Sequence, residues 1–273
     1  MMDSSEIEAI LAGDERHWWY RGRRRVLHAE LDRVPLGPDA RILDAGCGSG
    51  RMLDELRPLG TVIGVDANAD AVAATRRRGH AARRCAIEDM PFADATFDLV
   101  TCLDVIEHTP DDRRTLRELR RVTRPGGALV VTVPAYQALW SAHDVVNGHY
   151  RRYRIPELRA AAQEAGWHYL RDSYFNALLL GPAAVVRLTR RRSGADSGRS
   201  ELGLTPGWLD GLLEWPLRIE AGMLRGGARL PFGLSLLAVF ANVVATADGR
   251  RAAPRRQPAS RDGLVRPVPA ATP

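Results

Sequence analysis

One stretch near the start of the chain narrows the choice of fold more than any other: Ile42-Leu43-Asp44-Ala45-Gly46-Cys47-Gly48-Ser49-Gly50. An apolar run ends in a carboxylate and then in three spaced glycines, just before a helical pattern. Glycine lets the backbone turn sharply and lets a ligand approach it closely. The ligand then lies near the positive end of the following helix. The spacing is G-x-G-x-G followed by Arg51, which departs from the G-x-G-x-x-G of a nicotinamide dinucleotide site. A second apolar run, Val62-Ile63-Gly64-Val65-Asp66, ends in another acid 22 residues after Asp44. An acid at the tip of a second strand, about 20 residues on, can accept hydrogen bonds from ribose hydroxyls.

The pattern from 41 to 133 alternates short apolar runs with helical stretches. Strands are expected over 41–45, 61–66, 81–87, 97–103 and 128–133, and helices over 49–58, 69–78 and 111–123. The last helix places Leu116, Leu119 and Val122 at helical spacing. Arg124-Pro125-Gly126-Gly127 reads as its stop, followed by a turn. Such alternation implies crossovers and a parallel sheet. Further on, 155–165 reads as a helix with Pro156 at its start and Gly166 at its end. An extended segment over 167–175 and an apolar strand over 235–244 follow.

A third signal combines Ala86-Ile87-Glu88-Asp89-Met90-Pro91-Phe92 with Phe97-Asp98-Leu99-Val100. Together with the glycine loop and the acid-ended second strand, this set over about residues 40–135 resembles the class I S-adenosylmethionine (SAM)-dependent methyltransferases. The resemblance implies an α/β, Rossmann-like, doubly wound seven-stranded sheet. It carries Asp44, Gly46, Gly48 and Gly50 over to the methionine part of SAM, Asp66 to the ribose, and Ile87 and Glu88 to the flank of the adenine. Many relatives have an acid or serine where this chain has Ala86, so adenine would rely on the Ile87 backbone or on Glu88.

The flanks resemble a narrower bacterial group of methyltransferases. The residues are His17-Trp18-Trp19-Tyr20-Arg21-Gly22-Arg23-Arg24-Arg25, Leu139-Trp140-Ser141-Ala142-His143-Asp144 and Gly148-His149-Tyr150-Arg151-Arg152-Tyr153. That likeness suggests that both segments close over the SAM pocket. The expected organisation is an N-terminal helical lid over 1–39, with its helix at 15–34, and a methyltransferase domain over 40–247. The domain carries a helical insertion over about 176–233, hinged at 193–200, before the last strand. A disordered Arg/Pro/Ala tail over 248–273 completes the chain.

Leu103-Asp104-Val105-Ile106-Glu107-His108 ends the fourth strand. Its acid-x-x-Glu-His pattern resembles a motif of two O-methyltransferase groups, one in ubiquinone synthesis and one acting on small RNA ends. In some of those the acids and the histidine bind a divalent metal, and His143 and His149 could complete such a site here. The plainer alternative is that Glu107 and His108 position the next helix while Asp104 lies near SAM. No metal is assigned from the sequence. A general base drawn from His143, His149 or His108 is preferred, because histidine titrates near working pH.

Composition bounds the remaining choices. The 273 residues are 45% hydrophobic and 26% charged, as in a globular chain. Residues 1–13 lack the basic and apolar regions of a signal peptide. Cys47, Cys85 and Cys102 show no zinc or disulfide spacing, so a cytoplasmic setting is expected. Every one of the 39 basic residues is arginine, and the net charge is +6. The all-arginine bias reads as a compositional habit, so no nucleic-acid partner is inferred from it. Solvated arginine faces are the preferred reading of the charge, with an anionic partner such as a phosphate-bearing substrate or a membrane surface as the alternative. Trp18, Trp19, Trp140, Trp208 and Trp215 lie outside the SAM core. They either pack within the flanking helices, the preferred reading, or meet a lipid interface with arginines beside them. The function expected is SAM-dependent O-methylation of a small-molecule or lipid- or glycan-linked acceptor, with peripheral membrane contact as an open alternative. The rivals are an NAD(P)-dependent oxidoreductase and a non-catalytic SAM-binding protein.

Overall fold

The computed structural model describes residues 17–181 and 210–243. Residues 1–16, the expected hinge at 193–200, Trp208 and the tail at 248–273 lie outside the described residues. The elements are α1 (Trp18–Leu31), β1 (Arg41–Ala45), α2 (Arg51–Leu56), β2 (Thr61–Asp66), α3 (Ala69–Arg77), β3 (Ala81–Arg84) and β4 (Phe97–Leu103). They continue with α4 (Asp112–Val122), β5 (Thr123–Pro134), α5 (Ala142–Val146), α6 (Ile155–Glu164), β6 (His168–Phe175), α7 (Asp210–Arg225) and β7 (Ser235–Ala241).

The seven strands form one sheet in the order β3-β2-β1-β4-β5-β7-β6. Strands β1 to β5 pair in parallel, and β7 runs antiparallel to both β5 and β6. Alternate residues of each strand supply opposite faces. Leu43, Val100, Val131 and Phe240 pack with Leu116 and Leu119 of α4 and Leu158 of α6. Ile42, Leu99, Val130 and Val239 pack on the other face with Val26 and Leu27 of α1, Met52 of α2 and Leu217 and Leu224 of α7. The resulting three layers are the doubly wound architecture expected.

Two features refine the sequence reading. The segment expected as a lid is, over its second half, a structural layer, because α1 packs on the sheet and against α7. The contact is close enough that a Cβ on Gly22 would meet Leu217 Cδ1 at 2.2 Å. The turn read at 124–127 falls inside β5. Phe97 pairs with Thr123 and Leu99 with Ala128, so four residues bulge from the ladder. Asn242 holds the bulge through Gly126 N–H donating to its carbonyl at 2.7 Å and its own N–H donating to the Gly127 carbonyl at 2.9 Å. The third strand ends at Arg84 and not at 87, because its partner β2 ends at Asp66, whose carbonyl accepts the last ladder bond from Cys85 N–H.

Candidate active site at the carboxyl edge of the sheet

The ends of β1, β2 and β4 bring most of the expected residues to one edge. Gly46, Gly48 and Gly50 all take positive φ, at 85°, 52° and 79°. A Cβ on Gly46 would lie 2.3 Å from Val105 Cγ2, whereas one on Gly48 would meet nothing within 4 Å. The chain's own packing therefore demands glycine at 46, while Gly48 opens onto free space. Asp44 is buried and accepts a hydrogen bond from Thr101 Oγ1 at 2.6 Å.

Asp66 ties the loop to β2. Gly48 N–H donates to its Oδ2 at 3.0 Å and Asn68 N–H to its Oδ1 at 2.9 Å. Each carboxylate oxygen has a second lone-pair site, so both can accept one more donor, as a diol would require. Burial raises the Asp66 pKa, opposed by those backbone N–H groups. The loop carrying Ile87 and Glu88 leaves β3 beside this end of β2. Ile87 is buried in the core and Glu88 is half-exposed.

Asp104 follows β4 with a left-handed φ of 57°. Its carboxylate pairs with Arg23 of α1, whose guanidinium lies 4.8 Å over the Trp19 ring and 5.5 Å from the Tyr20 ring. The first half of α1 thus reaches the cofactor edge while the second half packs on the sheet.

Glu107, which the sequence offered only through the metal alternative, forms the centre of a buried cluster. It is fully buried, and neither carboxylate oxygen has a hydrogen-bond partner among the described residues. Potential ligand atoms of Glu107, His108 and His149 all lie within 4.8 Å of one another. The rings of His108 and His149 meet edge-on with centroids 4.5 Å apart. His143 stays outside: its ring centroid is 6.3 Å from that of His149, and Asn147 Nδ2 lies 3.2 Å from its ring nitrogens.

His149 is held by residues that sequence spacing did not reveal. Its Nδ1 lies 2.9 Å from Asp144 Oδ1, and Arg152 donates to Asp144 from Nε at 2.7 Å and from its Nη2 at 2.9 Å. Asp144 also closes the N-terminus of α5 through Ser141 N–H. Burial works against its ionisation, but the hydrogen bonds from His149 and Arg152 outweigh it and hold the carboxyl well below its usual range. The Asp144 carboxylate is placed to accept a proton from Nδ1, the side of the ring turned away from Nε2. This is the arrangement by which a carboxylate orients a metal-binding or basic histidine.

Burial and the nearby Asp104 charge push Glu107 well above the carboxylate range, and burial beside His149 pushes His108 down to about 4. In the unfolded chain ordinary values apply, about 4.3 for Glu and about 6.5 for His. Between those values the folded pair carries its proton on Glu107 and the unfolded pair carries it on the histidine. The two opposite pH slopes then offset each other. Glu107→Gln removes one of them. The depressed His108 contributes stability that is present above about 6.5 and lost as pH falls toward about 4. The metal-free Glu107→Gln variant should therefore lose on the order of 1–3 kcal/mol more than wild type between pH 6.5 and 4.5. Urea unfolding at the two pH values measures this, and equal losses in both proteins would refute the proton exchange.

Comparisons with known proteins identify the domain that carries this edge. A family model described as a methyltransferase domain matches residues 43–131. The chain is 30% identical over 183 residues to a ubiquinone biosynthesis O-methyltransferase of Xanthomonas oryzae pv. oryzae (strain PXO99A), covering 62% of this chain and 73% of that protein. It is 32% identical over 158 residues to a Mycolicibacterium smegmatis protein named "Probable S-adenosylmethionine-dependent methyltransferase", covering 56% of this chain and 60% of the other. Among solved structures, geranyl diphosphate C-methyltransferase from Streptomyces coelicolor A3(2) matches with a TM-score of 0.54 at 20% identity, over 80% of this chain and 79% of that one. At that identity the likeness speaks for the fold alone.

Proposed function

The chain belongs to the class I SAM-dependent methyltransferases, and on that premise we propose that it methylates an oxygen of a small-molecule or lipid-linked acceptor. The observation that carries this reading is the buried Glu107/His108/His149 cluster on the loops after β4 and β5. Open α/β sheets bind ligands at the carboxyl ends of their strands. Residues there can prepare a hydroxyl for attack, and the ubiquinone biosynthesis relative is named an O-methyltransferase.

SAM supplies an electrophilic methyl group on its sulfonium sulfur. Asp44 and the Gly46–Gly48–Gly50 loop would hold its methionine end, Asp66 the ribose, and Ile87 and Glu88 the adenine, with Asp104 at the reacting side. In-line transfer needs alignment and the removal of one acceptor proton, so no protein nucleophile is required. Burial and the nearby Asp44 charge push the Cys47 thiol to about 12, which makes it a poor nucleophile. Glu107, His108 and His149 would hold a divalent cation, which lowers the pKa of a hydroxyl and orients it. The unpartnered Glu107 carboxylate favours that reading over the metal-free one, in which His149, oriented by Asp144, takes the proton itself.

Asp66→Ala should weaken SAM and S-adenosylhomocysteine binding roughly 10- to 100-fold, the worth of hydrogen bonds to a charged acceptor. Calorimetry measures it, and unchanged affinity would remove Asp66 from the site. For the acceptor, lipid, glycan and small-molecule extracts are incubated with methyl-labelled SAM and the labelled product is identified. Label on oxygen is the expected result. Label on nitrogen or carbon, or SAM binding without turnover on any fraction, would overturn the proposal.

A further inference from the structure

We infer that the outer face of α7 docks on an anionic membrane surface. The helix buries Leu217, Ala221 and Leu224 against α1 and the sheet. On its opposite side Leu212, Trp215, Ile219 and Met223 follow one another at helical spacing. They are 67%, 58%, 38% and 44% exposed, a continuous apolar stripe. The expectation that Trp215 packs in the core is therefore corrected: its neighbours at the four-residue spacing face outward with it.

Charge decides what covers the stripe. The exposed residues of α7 are Gly211, Leu212, Trp215, Arg218, Ile219, Gly222, Met223 and Arg225, with no acid among them. The acids of this helix that follow Asp210 point inward. Glu220 is buried and accepts the N–H groups of Asn176 and Ala177. Buried Glu214 receives three guanidinium groups, from Arg21 at 2.7 Å, Arg25 at 2.9 Å and Arg218 at 3.0 Å. Three cations on one carboxylate leave a local excess of positive charge, and Arg25 and Arg218 remain half-exposed. Arg225 is paired with the exposed Asp32 at 3.5 Å. The stripe itself carries a tryptophan and lies beside Arg218 and Arg25, with no acid among the exposed residues of α7. It matches an interface of acyl chains below anionic headgroups. No helix among the described residues is long and apolar enough to cross a membrane, so the contact is peripheral.

The test uses the full chain with no cofactor or acceptor, so its outcome is independent of the methyl-transfer proposal. The protein is co-sedimented with vesicles of phosphatidylcholine alone and of phosphatidylcholine containing phosphatidylglycerol, at low and high salt. Binding is expected to the anionic vesicles at low salt, with release by salt. The Trp215→Glu/Ile219→Glu double variant should lose it, and Arg218→Gln should weaken it roughly fivefold. Both variants change exposed side chains and should keep the wild-type unfolding temperature within a few degrees. Equal binding to both vesicle types, no binding to either, or retained binding in the double variant would overturn the inference. So would wild-type indifference to vesicles together with a mass halved by the double variant, which would assign the stripe to a second copy of the chain.

Discussion

Removal of divalent cations by a chelator is expected to lower methyl transfer by about 10²-fold or more, the several kcal/mol a metal contributes by polarising an oxygen. Magnesium or manganese should restore it. The expectation starts from Glu107, whose two buried oxygens lack a hydrogen-bond partner among the described residues. A buried carboxylate in that state must keep a proton or meet a cation. Nitrogen and oxygen ligand atoms from Glu107, His108 and His149 already lie within 4.8 Å of one another. Binding would displace the Glu107 proton, so affinity should rise with pH. Calorimetry on metal-stripped protein separates this from a structural effect: Glu107→Gln should abolish binding. Asp144→Asn should weaken it roughly 10- to 100-fold by releasing the orientation of His149. Turnover that survives chelation and falls at low pH with a histidine-like apparent pKa would transfer the role to a metal-free base.

Gly48→Val is expected to abolish measurable SAM binding while the protein stays folded. A Cβ at this position meets nothing among the described residues within 4 Å, so the side chain would enter the space proposed for the ligand. The residue's φ of 52° adds a conformational cost of about 1–2 kcal/mol for a non-glycine residue, which lowers stability modestly. Gly46→Ala should behave in the opposite way. Its Cβ would strike Val105, so stability should suffer first and affinity through it. Circular dichroism and calorimetry on the two variants distinguish a ligand-facing glycine from a packing one. Normal SAM affinity in Gly48→Val would place the cofactor elsewhere.

Apart from β3, whose Ala-Ala-Arg-Arg is mostly exposed, the alternating half of the sheet was readable because β1, β2 and β4 are short apolar runs that stop at an acid or a glycine. Burial there follows local sequence. Asp44, Asp66 and the glycines were readable for the same reason, since they sit at strand ends where periodicity stops. The cluster was only partly so. Glu107 and His108 are adjacent in sequence, but the choice of His149 over His143 depends on Asp144 and Arg152, which act through tertiary contacts that no spacing encodes. The bulge at 124–127 has the composition of a turn, and only pairing with β4 and contact with Asn242 reveal it as an interruption within one strand. The role of α1 as a layer depends on α7, far away in the chain.

The position of β7 between β5 and β6 sets an order of events during synthesis. β6 ends at Phe175 and β7 begins at Ser235, 60 residues later. At roughly 5–20 residues per second on a ribosome, several seconds pass in which β5 has emerged but the strand that pairs with its outer edge has not. Residues 129–133 are all buried in the finished sheet, so that edge is a row of unpaired backbone groups flanked by apolar side chains. Such an edge is a template for pairing with another chain. A nascent chain that stalls before Ser235 therefore exposes the strand edge that the completed fold covers last.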